Sequence, residues 1–155
     1  MIKTPTDPQA LRTNPQGYTL LEVVIALGII SVLIGLAWPA FQPWNDRVQF
    51  EAQLAAVRGL AEEAQWLALS TRHRHRLSGN TESVELQRFE SAGYTTLDSQ
   101  PLPSGLQATA TRWPSFSAFG FAQGGTITLR SSTHEGKVVV SLVGRIRTTG
   151  PSRID

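Results

Sequence analysis

The stretch from Val23 to Phe41 constrains this chain more than any other, because nineteen consecutive residues carry no charge. At about 1.5 Å per helical residue they reach across the roughly 30 Å hydrocarbon core of a bilayer. Many of them are β-branched (Val23, Val24, Ile25, Ile29, Ile30, Val32, Ile34) and are poor helix formers in water. Lipid overrides that preference, since a spanning segment has to satisfy its own backbone hydrogen bonds. Ahead of the run stands MIKTPTDPQALRTNPQG, with three prolines and no apolar core of its own. A secretory signal would carry its cleavage site after the apolar run. Here the break from polar to apolar comes before it, at Gln16-Gly17. Residues 1–17 therefore read as a disposable leader. Lys3 and Arg12 outnumber Asp7 and place that leader on the cytoplasmic side.

Glu22 sits just inside the start of the apolar segment, where an unpaired carboxylate costs on the order of a few kcal/mol. Two accounts of it stay open on these residues alone. The side chain can reach out to the membrane surface. Alternatively, a cut after Gly17 would give Tyr18 a free α-amine with a pKa near ~8, about one helical turn from Glu22. That amine, or the same amine on an adjacent subunit, would neutralise the carboxylate.

Gly17-Tyr18-Thr19-Leu20-Leu21-Glu22, followed by the apolar run, resembles the processing site of type IV pilins and pseudopilins. The usual form there is glycine, phenylalanine, threonine, leucine, isoleucine, glutamate, so Tyr18 and Leu21 are mild departures. The resemblance implies that a prepilin peptidase cuts after Gly17 and N-methylates Tyr18, and that Glu22 is an assembly contact. It also matches Pro39 to the family's helix-distorting proline. Proline removes one helical N–H and loosens the turn before it, with Gly35 adding slack upstream.

Beyond Pro43, Val48, Leu54, Val57, Leu60, Ala61, Ala64, Leu67 and Ala68 recur at helical steps, with Glu51, Arg58, Glu62 and Glu63 mostly opposite. This predicts one helix from about Leu20 to Ser70, its first half (18–43) in lipid and its second (44–76) amphipathic. Trp38 and Trp44 bracket the end of the span, where indoles favour the membrane interface. The basic run Arg72-His73-Arg74-His75-Arg76 is expected to close the helix, its cations favoured by the helix dipole. Short strands are expected over 83–89, 106–111, 126–130 and 137–143, within a β-rich head covering 77–155. Together these make an α+β fold, with the helix stripe covering a face of an antiparallel sheet.

The second half also resembles a particular branch. Phe119-Gly120-Phe121, Gly124-Gly125-Thr126-Ile127-Thr128-Leu129, Val138-Val139-Val140-Ser141 and Gly144-Arg145-Ile146-Arg147 look like the GspH/FimT pseudopilins. The resemblance implies an inner-membrane, single-pass protein with a periplasmic head, and a non-enzymatic role in a filament. Its partners would be the lipid bilayer, a prepilin peptidase, an inner-membrane assembly platform and other pilins or pseudopilins. Type II protein secretion is the leading system. The alternative is a minor pilin that binds DNA during natural transformation, through Arg145 and Arg147 with Arg153, extended by Arg72, Arg74 and Arg76.

Composition agrees with a non-catalytic reading. The chain has no cysteine, which excludes disulfides, thiolate metal sites and cysteine nucleophiles. It contains no Gly-rich phosphate loop, no HExxH and no G-x-S-x-G. No cofactor or metal site is expected, and the three histidines are expected on exposed segments. Only Lys3 and Lys137 are lysines among the fourteen basic residues. Arginine pairs bidentately with phosphates, so the bias suits a polyanionic partner; high-GC codon usage produces the same bias.

Overall fold

The computed structural model describes residues 17–154; residues 1–16, Asp155 and the side chains of residues 38–40 lie outside it. The leader, the interfacial role of Trp38 and the side chain of Pro39 therefore fall outside the described residues. Among the described residues one α-helix, α1, runs from Leu20 to Thr71. The chain divides into two compact units, one up to Phe41 and one from Gln42.

In the first unit, α1 begins on a cap that the sequence spells out as Thr-Leu-Leu-Glu. The Glu22 backbone N–H donates to Thr19 Oγ1 at 3.2 Å, and the Val23 N–H donates to the Thr19 carbonyl at 3.2 Å. Thr19 is thus the N-cap, and Glu22 stands three residues in, where a capping box places its acid. The carboxylate is also favoured there by the positive end of the helix dipole. From Leu20 to Ala37 the helix has the length and apolarity needed to cross a membrane, and none of that stretch is buried.

In the second unit, the rest of α1 packs its stripe into a core shared with residues of both sheets. The stripe is Phe50, Leu54, Val57, Ala61, Ala64 and Ala68, with Leu60 beside it. These positions advance by four and three residues in turn, which keeps one face inward. Phe50 belongs to this face, whereas Val48 is exposed and Leu67 half-buried. Three alanines, Ala61, Ala64 and Ala68, make up the C-terminal end of this stripe, and all are fully buried.

The strands form two antiparallel sheets. The first contains β1 (His75–Gly79), β2 (Ser83–Glu90), β3 (Gly93–Pro101), β5 (Ser115–Phe116) and β6 (Ala122–Gln123), in the order β3-β2-β1-β5-β6. The second contains β4 (Gln107–Ala110), β7 (Gly125–Arg130), β8 (His134–Val140) and β9 (Ile146–Arg153), in the order β4-β7-β8-β9. Alternation sends Leu77, Val84, Leu86 and Phe116 from the first sheet, and Ala108, Ile127, Leu129, Val138 and Val140 from the second, into one core with the helix. Burying each of the larger of these stabilises the fold by roughly 1.5–3 kcal/mol. The sheets meet where the Ala122 N–H donates to the Leu142 carbonyl at 3.2 Å. In the β2–β3 pair, Leu86 faces Asp98 while Gln87 faces Thr96, so Leu97 is an extra, bulged residue on the outer strand.

The helix stops before the basic run. Thr71 Oγ1 and Ser70 Oγ both donate to the Leu67 carbonyl, at 2.6 and 3.3 Å, and Arg72 turns the chain with φ 57°. His75 and Leu77 then alternate inward on β1, paired with Arg88 and Leu86 of β2. The amphipathic half of the helix accordingly ends at Thr71, five residues short of its expected end at residue 76. Arg74 and Arg76 gain nothing from the helix dipole.

His75 corrects a second expectation. It is completely buried, not exposed. Its position opposite Phe116 and Arg88 faces the core of the first sheet.

Candidate functional site

Two regions gather the residues singled out in the sequence. At the start of the chain, Gly17 and Tyr18 precede the helix in a non-helical segment, and Tyr18 is 81% exposed. A bond between two such residues is open to an approaching protease. Thr19 and Glu22 follow on the first turn of α1. The capping role of Thr19 was missed on reading the sequence, although Thr19-x-x-Glu22 was there to signal it.

The second region is the turn between β8 and β9. Ser141 and Arg145 close it: the Ser141 N–H donates to the Arg145 carbonyl and the Arg145 N–H donates to Ser141 Oγ, both at 3.0 Å. Gly144 adopts φ 78°, a left-handed conformation that glycine takes without strain. It is also buried against the helix: Gln65 Nε2 donates to the Gly144 carbonyl at 3.1 Å, and an added Cβ would lie 2.5 Å from that nitrogen. Arg145 is thereby held on the surface beside α1, and Arg147 follows as an exposed residue of β9 opposite Val139. Among the described residues, neither is within ion-pair distance of a carboxylate.

The other arginines divide. Arg72 comes directly after α1, seven residues or about 10 Å of helical rise beyond Gln65, at the end of the helix that holds Gly144. Arg74 is exposed between helix and sheet. Arg76 is occupied: its guanidinium stacks over Tyr94, 3.4 Å from the ring centre, and its Nε donates to Gln87 Oε1 at 2.9 Å. Arg153 pairs with His134 at the far end of β9, six residues or about 20 Å from Arg147. Arg145 and Arg147 are thus the pair that this turn and strand bring together, while β9 runs on toward Arg58 and Arg47, away from Arg72.

The histidines of the basic run are committed to backbone. His73 Nδ1 donates to the Thr71 carbonyl at 2.7 Å, and His75 Nδ1 to the His73 carbonyl at 3.0 Å. Since a carbonyl only accepts, His75 carries its proton on Nδ1, and Nε2 is left buried with no partner. Burial pushes the His75 pKa below its ordinary value, opposed by the bond to His73 and reinforced by the positive charge of Arg88.

Comparison with known proteins follows this geometry closely. Residues 12–38 match the prokaryotic N-terminal methylation motif. The fold is similar to that of the minor pseudopilin EpsH from the type 2 secretion system of Vibrio cholerae, with a TM-score of 0.58 over 65% of this chain and 96% of that one, at 11% identity. It is equally similar to the type IV minor pilin FimU of Pseudomonas aeruginosa strain PAO1, with a TM-score of 0.59 over 72% of this chain and 97% of that one, at 14% identity. The chain thus joins the N-terminal methylation motif, on a helix long and apolar enough to cross a membrane, to a pilin-like fold. Its α+β fold is the one seen in these two structures.

Proposed function

We propose that this chain is a minor subunit of a type IV filament system, with type II protein secretion as its system. The observation that carries this reading is the methylation motif at the start of a membrane-length helix whose second half belongs to an EpsH-like head. In this reading the protein enters the inner membrane with a periplasmic head, and a prepilin peptidase cuts after Gly17 and methylates Tyr18. An assembly platform then moves the subunit from lipid into the filament. Glu22 pairs there with the new amine of a neighbouring subunit, and Pro39 loosens the helix for packing among other pilins. The role is one of assembly, without catalysis.

Glu22→Ala tests it cleanly. The capping bond uses the Glu22 backbone N–H, so the substitution removes the carboxylate and leaves that bond in place. Cleavage, read by the mass of the mature chain, is expected to continue while incorporation into sheared filaments is lost. Normal incorporation would end the pairing role.

A second reading is DNA binding, favoured by the exposed Arg145 and Arg147, which have no carboxylate partner among the described residues. Arg72 and Arg74 extend this surface, and Arg153 adds to it at a distance. Each phosphate contact steepens log K against log salt by ~0.9 on duplex DNA. Replacing both Arg145 and Arg147 by alanine should reduce that slope by about two; an unchanged slope excludes them.

A further inference from the structure

The turn that holds Arg145 adjoins an exposed apolar surface drawn from three separate segments. Trp66 of α1, Phe119 and Phe121 of the loop before β6, and Leu142 and Val143 of the β8–β9 turn are each between 65% and 81% exposed. Leu69, one turn along from Trp66, is 46% exposed. Their backbones are locked together. A Cβ on Gly120 would lie 3.3 Å from Leu69 Cδ2, and one on Gly144 would lie 3.5 Å from the Gly120 carbonyl. The Ala122 N–H bonds the Leu142 carbonyl, and Gln65 bonds Gly144.

Aromatic side chains present roughly 150–250 Å² each, so the six together expose about 800 Å². The largest apolar patch of an ordinary monomer is about 300–600 Å², and one side of a standard protein interface is about 800 Å². The composition is also that of an interface centre: two phenylalanines and a tryptophan, apolar neighbours, and an arginine at the edge. Arg145 borders the patch on the turn side and Arg72 at the helix end. Glu62, the carboxylate on the same helix face, is already paired with Arg58 at 2.7 Å; Glu63 lies further round the helix.

We infer that this patch docks the head of a different filament subunit, one that presents apolar side chains edged by carboxylates. The inference rests on the filament reading above and adds the partner's surface chemistry. A second copy of this chain presenting the same patch fits less well, because arginine rather than an unpaired carboxylate stands at its edge. A carboxylate-edged partner meets Arg145 and Arg72 with opposite charge and covers the aromatic centre from water.

The test uses the full-length chain in cells that carry its own filament system. A photo-crosslinking amino acid replaces Phe121 or Leu142 in the head, or Leu27 in the membrane-length half of α1, and adducts are mapped by mass spectrometry. From Phe121 and Leu142 the expected product joins the head of another protein with a prepilin motif, at an apolar residue next to Asp or Glu. Arg145→Glu should lower its yield about fivefold, the scale of one rim ion pair. Exchanging the mapped partner carboxylate for arginine should restore it. Adducts to a second copy, to lipid or to nucleic acid, or none at all while Leu27 still joins a subunit, overturn the docking surface and leave the filament reading standing. Absence of subunit adducts from all three positions overturns both.

Discussion

Gly125→Ala is expected to be among the most damaging single-methyl changes in the head. Gly125 begins β7, and a Cβ built on it would lie 2.0 Å from the Arg112 carbonyl oxygen, a backbone atom that no rotamer change can move. Ordinary contact begins near 3.4 Å, so the Arg112 segment has to retreat by more than about 1 Å. Two bonds tie that segment to β7: the Thr111 N–H donates to the Thr126 carbonyl at 3.1 Å, and the Thr126 N–H to Thr111 Oγ1 at 3.3 Å. Each contributes roughly 0.5–1.5 kcal/mol, and the shift also strains Pro114 against the core, for a total loss of about 2–3 kcal/mol. In urea, with a slope of about 1–3 kcal/mol/M, the midpoint of the unit from Gln42 onward should fall by about 1–2 M. Gly59→Ala is the control. That glycine lies on the exposed face of α1 with open space around it, and alanine there should add about 0.5–1 kcal/mol through helix propensity. A Gly125→Ala midpoint equal to that of the parent protein would refute the steric argument.

Three further outcomes follow from the fold. The neutral ring of buried His75 is favoured in the folded state, so its folded pKa lies below the unfolded value of about 6.5. Stability should therefore be full above that pH and decline as pH falls below it, because the unfolded chain takes up a proton that the fold resists. Urea midpoints measured from pH 7.5 to 5 should show this decline, and His75→Leu should flatten it. Thr19→Ala removes the N-cap of α1 and should cost the helix start about 1 kcal/mol, seen as faster amide exchange over Leu20–Glu22 in micelles. Tyr94→Ala takes away the ring under Arg76 and should cost about 0.5–1 kcal/mol in a urea melt, with Arg76→Ala adding less in the double variant than alone.

The parts of this fold that were legible are those in which burial and period coincide. The run from Val23 to Phe41, and the steps through Leu54, Val57, Ala61, Ala64 and Ala68, gave the long helix, although its amphipathic half was drawn on to residue 76, past its end at Thr71. Strands β2, β4, β7 and β8 each alternate an apolar face with a polar one; the first three were found near their true bounds, while β8, expected over 137–143, starts and ends three residues earlier, at His134 and Val140. Strand β1 was hidden because three arginines and two histidines look like a helix terminus, whereas His75 and Leu77 are its inward face. Strand β3 has no apolar alternation and exists because β2 pairs with it along its whole length. Strand β9 carries Gly150 and Pro151, which discourage a strand reading; as the edge of its sheet it has room for a residue that cannot donate. The Gly144–Arg147 segment was visible as a motif. Its attachment to Gln65, and the apolar surface around it, came from residues that are neighbours only after folding.

The bulge at Leu97 bears on the hazard carried by any exposed sheet edge. Strand β3 is an outer edge of its sheet, and Thr95 to Ser99 are all exposed, so its free backbone groups offer a template for another chain's strand. Any chain with a strand to add could pair with that template. The extra residue breaks the register, Asp98 adds a charge beside it, and Pro101 ends the strand with a residue lacking an N–H. Deleting Leu97 would straighten the edge and open a route to self-association by sheet growth.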